Sequence, residues 1–255
     1  MAVVLVSQAS GLVALVIMLP LLPPSAPAMP DLAWGGVAGI AVAAGIGLLY
    51  RALAVGKMTL VAPATAVAAV VIPLTAAMAL GERPGARALA GIALAVVAIV
   101  LVSQQRADTA PGEHAAASDR RAGLGLALLA GVGIGLFFIA LSRTEPAAGL
   151  WPLLVARGGT VAVFALSALA TGRSLRMPPA VAAMTITAGV IDMGANALYL
   201  LATYHGQLSV VATLTSLYPA STVLLALAVL GERLNALQGA GIVCALIAVL
   251  LIAGR

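Results

Sequence analysis

The chain has 255 residues, of which 63% are apolar and only 8% charged, and its mean hydropathy is +1.16. Ordinary soluble domains carry roughly one-quarter charged residues, so the composition excludes a water-soluble fold and puts the chain in a lipid bilayer. The net charge of +5 does not argue for nucleic acid: twelve of the thirteen Lys and Arg lie between or beside apolar runs, as loop and headgroup anchors do, rather than in one patch.

In chain order, Met1 to Leu22 is long enough to span. No basic stretch precedes it and Gln8 and Ser10 interrupt it, which argues against a cleaved signal peptide. The Pro-rich PPSAP then ends the helix. Leu32 to Ala54, Met58 to Leu80 and Ala88 to Val102 give three more spans. Ser103 to Arg121 holds charge of both signs and a Pro-Gly turn, and reads as a solvated linker. Five spans follow: Ala122 to Leu141, Trp151 to Thr171, Pro179 to Tyr204, Ser209 to Leu230 and Leu234 to Ala253. In the first of these, Gly131 and Gly135 make a small-xxx-small face that lets another helix approach closely. The fold class is thus all-α integral membrane, with nine spans, and the units are 1–104, a polar linker 105–121, and 122–255.

The two halves are copies. Gly56 to Arg83 and Gly206 to Arg233 align without a gap at a spacing of 150 residues, and both close in Gly-Glu-Arg. A repeat in register over that length marks two copies of one folding unit. The same register sets the first span opposite Trp151 to Thr171, which leaves the Gly-rich span from Ala122 without a counterpart. A tenth helix is therefore expected ahead of Met1, lost to a late start codon or a truncation. With five spans per unit, the second copy enters the bilayer from the opposite side, the inverted-repeat plan of secondary transporters.

Two halves whose penultimate spans close in GER (Gly81, Glu82, Arg83; Gly231, Glu232, Arg233), each followed by a Gly-Ala-rich last span, resemble EamA-type members of the drug/metabolite transporter superfamily. The resemblance implies ten helices in two inverted repeats and the export or exchange of small metabolites. On it rests the expectation of a multi-pass protein of the cell membrane, the inner membrane of a bacterium, moving a small metabolite or drug-like solute by alternating access, with protons as a coupling ion. If the first helix is truly absent, one wall of the usual cavity goes with it, and a non-transporting membrane protein is the alternative.

Polar residues inside spans cost a few kcal/mol at the bilayer centre and tend to face a cavity or a partner. Asp192 is the one acid well inside an apolar span, and Asn196 and Tyr199 follow at four and seven residues, on one helix face. Asp192 suits a cationic group or a transferable proton, and equally a buried ion pair. Arg157 on the preceding span can pair with Asp192 or fork onto a carboxylate or phosphate. It lies about 9 Å from its helix start, so snorkelling to the headgroups is the slightly favoured reading. Thr215 and Tyr218 add polarity to the second repeat copy beside Pro219, whereas the first copy has Thr65 and Ala68 at those places. Thr residues are also common helix-to-helix glue.

The Gly-Glu-Arg ends read as structural. Gly suits a left-handed turn, Glu the positive end of the next helix, and Arg the headgroups. Cys244 is the single cysteine, and His114 and His205 stand without metal-ligand company, so no cofactor or metal is expected. An enzyme is disfavoured: the chain has no G-x-S-x-G, no H-E-x-x-H and no second buried Asp to pair with Asp192. A small-solute channel is the rival to a carrier, since it needs the same spans without alternating access.

Overall fold

The computed structural model describes residues 2–56, 58–103, 117–172, 177–225 and 235–253. Its α-helices are α1 (Ala2–Met18), α2 (Met29–Val55), α3 (Met58–Ala79), α4 (Ala86–Val102), α5 (Ala117–Ser142), α6 (Trp151–Ala170), α7 (Pro179–Thr203), α8 (Leu208–Thr215), α9 (Tyr218–Leu225) and α10 (Ala236–Ala253). Six helical stretches, those of α1, α2, α3, α5, α6 and α7, are long and apolar enough to cross a membrane, and α4 and α10 are slightly shorter apolar helices. Residues 226–230 of the span from Ser209, Leu234 of the last span and residues 105–116 of the expected linker lie outside the described residues. Within the described residues the expected spans are helical, with two differences. Residues 117–121, read from their charge as linker, are the first turn of α5. The span from Ser209 is split by a turn at Ser216 and Leu217.

That split has a sequence cause. The 150-residue register sets Pro219 opposite Ala69, and a proline offers no N–H to the carbonyl four residues back, here that of Thr215. The first copy runs through as α3, carrying Pro63 and Pro73 within it. The second changes at the break to shorter turns, Leu217 N–H to Leu214 O at 3.2 Å and Ala220 N–H to Leu217 O at 2.9 Å.

The helices form two compact units, and each draws on both sequence halves. One comprises Met1–Ala44 and Leu136–Gly206; the other comprises Gly45–Gly135 and Gln207–Arg255.

In the first unit α1 lies on α7 at glycines. A Cβ on Gly189 would run into the Ser7 carbonyl and the Ser10 hydroxyl, and one on Gly11 would sit 2.9 Å from Gly189 O. Ser10 Oγ donates across this contact to Ile186 O at 3.3 Å. Thr160 of α6 donates to Gly39 O of α2 at 3.3 Å. At one end of this unit a polar knot joins the chain segments. Asp31, just ahead of the second expected span, is buried, which corrects the expectation that the chain has no buried Asp besides Asp192. It accepts from the N–H groups of Ala28 at 3.0 Å and Glu145 at 2.9 Å, and so is used as a cap and not as a partner of Asp192. Tyr204 donates to Gly149 O at 2.8 Å and shares a 3.2 Å hydrogen bond with Thr144. Burial lifts the Tyr204 phenol above its ordinary range; the Thr144 bond opposes this, while the charges of Asp31 and Glu145 add to it.

In the second unit α4 packs on α10 around Ala95, Ala98, Ile99, Ala245 and Ala248, with Ala66, Val70 and Leu217 completing the core. The small-xxx-small face of α5 does what its spacing predicts. Gly131 meets Thr65, Ala68 and Ala69 of α3, Gly135 meets Ile72 and Pro73, and Thr65 Oγ1 donates to Ala127 O at 3.1 Å.

Candidate functional site

The sequence singled out six polar residues, and the structure joins two of them directly. Arg157, on the second turn of α6, and Asp192, at the middle of α7, form an ion pair with Nη2 to Oδ2 at 2.7 Å. The side chains are 7% and 51% exposed, so the guanidinium is buried and the carboxylate is not. A second contact from Nη2 reaches Met193 Sδ at 3.6 Å. α1 lies alongside the pair: a Cβ at Gly11 would crowd Gly189 O and the Met193 Cβ of α7 and would stand at ordinary contact distance, 3.6 Å, from the Arg157 Cζ. The snorkelling expectation for Arg157 therefore fails. Its side chain runs to a carboxylate in mid-span, because a buried guanidinium is costly without a counter-ion and Asp192 is within reach.

α7 is accessible along two edges of different chemistry. Met184, Ile191 and Leu198, spaced by seven, are exposed and large. Ala188, Asp192 and Asn196, spaced by four, are small or polar; the first two are exposed and Asn196 is half-buried. Asn196 Nδ2 donates to the backbone oxygen of Asp192 at 2.8 Å, so it belongs to the same turn as the ion pair.

Tyr199 does not share that accessibility. It is 3% exposed, donates to Phe138 O at 2.9 Å, and lies against the Phe137 and Phe138 rings. The end of α5 covers it, so it is packed rather than open as Asp192 is. Thr215 and Tyr218 belong to the other unit, at the two sides of the α8–α9 break, with Thr215 half-buried and Tyr218 exposed. Beside them the Ser216 hydroxyl is buried without a hydrogen-bond partner.

A family model described as the EamA-like transporter family matches residues 121–254, just over half of the chain. The chain belongs to this family. An EamA-like transporter is a multi-pass membrane protein, and the long apolar helices agree with that. A solved structure described only as a crystal structure of a protein is similar in fold to this EamA-like chain. It has a TM-score of 0.76 at 15% identity, over 99% of this chain and 88% of that one. No curated protein matches the chain.

One built polar feature of this EamA-like transporter was misassigned from sequence. Gly81 takes φ +96, the left-handed turn expected of it. Glu82 N–H then bonds to Ala77 O at 2.9 Å and Gly81 N–H to Met78 O at 3.1 Å, closing the end of α3 in a Schellman motif. Glu82, however, does not serve the next helix in sequence, whose N-cap Gly85 has no side-chain cap. Its carboxylate accepts from Leu208 N–H at 2.8 Å, Ser209 N–H at 3.1 Å and Ser209 Oγ at 2.7 Å. It caps the start of α8, which is also the start of the second repeat copy, where orphan N–H groups and the helix dipole favour an anion. A hydroxyl in the first turn of the second copy, Ser209, was the sequence signal for this. Gly231, Glu232 and Arg233 lie outside the described residues.

Proposed function

We propose that this protein is a secondary transporter that exports a small metabolite or drug-like solute across the cell membrane by alternating access, with proton coupling at Asp192. What supports the reading most is the asymmetry of the ion pair: a buried Arg157 held by a half-exposed Asp192 at the middle of a span. A fully buried pair would suit a structural rivet. An accessible carboxylate can instead exchange its partner, because a solute cation or a proton arriving at Asp192 competes with the guanidinium for the same oxygens. Ala188, Asp192 and Asn196 form the water-facing edge of α7, and Met184, Ile191 and Leu198 its lipid-facing edge. Thr215 and Tyr218 flank a broken helix of the other unit, of the kind found in transporters, and are the polar candidates of that unit by itself. The repeats over 1–104 and 122–255, joined by 105–121, supply the inverted symmetry that alternating access uses.

The test is counterflow into proteoliposomes over a panel of amino acids, amines and nucleosides, with Asp192→Asn alongside. Saturable counterflow that needs Asp192 is the expected result. Single-channel currents in place of counterflow would show a channel and overturn the carrier.

A further inference from the structure

α1, the helix that lies against Arg157, carries a buried polar group that takes no part in the ion pair. Gln8 sits on α1, 7% exposed, on the face that also buries Val4, Gly11 and Leu15. Its Oε1 is buried and has no hydrogen-bond partner among the described residues. An unmet amide oxygen in a membrane interior is destabilising, while a leucine of similar size at that place would carry no such penalty. The position is specific. Gly11, one turn along the same face, lies against Arg157: a Cβ there would be 3.6 Å from the guanidinium carbon. The helix that carries Gln8 thus packs directly on Arg157 and on Met193, the residue after Asp192.

We infer that Gln8 is the third polar member of the Arg157–Asp192 site, and that the site takes a protonated amine that retains N–H groups. Two acceptors are on offer there, the accessible Asp192 carboxylate and the unpartnered Gln8 amide oxygen. An ammonium with several N–H groups satisfies both at once: one N–H goes to the carboxylate, with charge assistance, and a second to Oε1. A quaternary ammonium has no N–H and can satisfy only the charge. A primary or secondary amine is therefore preferred over its fully methylated analogue. This deepens the transport reading by naming the solute class, but its tests need no transport.

The first test is free of ligand and asks whether Gln8 is within reach of Arg157. Asp192→Asn strips Arg157 of its counter-ion and lowers the thermal midpoint of the detergent-solubilised protein. Adding Gln8→Glu supplies a carboxylate from α1 and restores at least half of the loss, whereas Leu15→Glu, two turns along the same face, restores none. Absence of rescue by Gln8→Glu overturns the placement. The second test uses benzylamine and benzyltrimethylammonium as probes of midpoint shift. Benzylamine stabilises the wild type more than its quaternary analogue does, and Gln8→Leu weakens benzylamine by about tenfold, the loss of one hydrogen bond to a charged donor, without changing the response to the analogue. Equal response of the wild type to both amines, or to neither, overturns the solute class. An amine response with no counterflow of any solute would leave this site standing and sink the transport reading instead.

Discussion

Asp192 and Glu82 are both carboxylates that tie one helix to another, in opposite settings. Glu82 stands where α3 has ended and α8 begins, and three donors in that first turn, two of them backbone N–H groups, converge on it. Any helix start provides such donors, so the arrangement needs no partner charge and has every mark of a fixed joint. Asp192 stands in mid-helix, where backbone N–H groups are already used within α7. It has to find its partner in a side chain, and that partner is a buried arginine. The first carboxylate is held by the backbone and cannot easily be traded. The second is held by one flexible cation and open to competition on its exposed side. In the proposed scheme, the location of a carboxylate along a helix separates a joint from a site.

Breaking each tie should sharpen the contrast. Asp192→Ala leaves a buried guanidinium without a counter-ion and is expected to cost roughly 3 kcal/mol, the low end for a broken buried pair because Asp192 is half exposed. Replacing both partners, Arg157→Leu with Asp192→Leu, should restore most of that stability while abolishing counterflow, as measured by thermal unfolding and by proteoliposome assay. Full counterflow in this double variant would make the pair a rivet. Glu82→Ala is next, at about 2 kcal/mol for the loss of a charged cap with three bonds. Its effect should fall on stability with the affinity for transported solute unchanged, and a selective rise in KM would blur the distinction drawn here. Ser209→Ala removes only the hydroxyl bond and should cost about 1 kcal/mol. Smallest is Thr65→Val, which removes one bond to Ala127 O between α3 and α5 and should cost no more than about 1 kcal/mol.

Much of this fold was legible in sequence because the bilayer permits few solutions. Long apolar stretches must be helices, and the positions of Gly131 and Gly135 disclosed a close helix contact that the structure contains. The repeat gave more than helix positions, since its register also explains why Pro219 breaks a helix that Ala69 leaves whole. What sequence could not show was which helix lies against which. Periodicity put Asp192, Asn196 and Tyr199 on one face, yet only the packing of Phe138 removes Tyr199 from it. Glu82 was referred to its neighbour in sequence because its real partner, the α8 start, lies 126 residues away. Arg157 looked placed to snorkel because its depth could be counted but its neighbour could not. Gln8 was noticed only as an interruption in an apolar run, and its importance rests on Gly11 and Arg157 coming together.

In the proposed scheme the Ala188–Asp192–Asn196 edge of α7 faces water and the Met184–Ile191–Leu198 edge faces lipid. Single cysteines at Ala188→Cys and Leu198→Cys, each in a Cys244→Ser background, test it when labelled with a membrane-impermeant maleimide in proteoliposomes. Both positions are exposed on the protein surface, Leu198 at 69%, so burial cannot account for a difference. If the two edges face water and lipid in this way, the cysteine at 188 is labelled and the one at 198 is not. Equal labelling, or labelling at 198 alone, would contradict it.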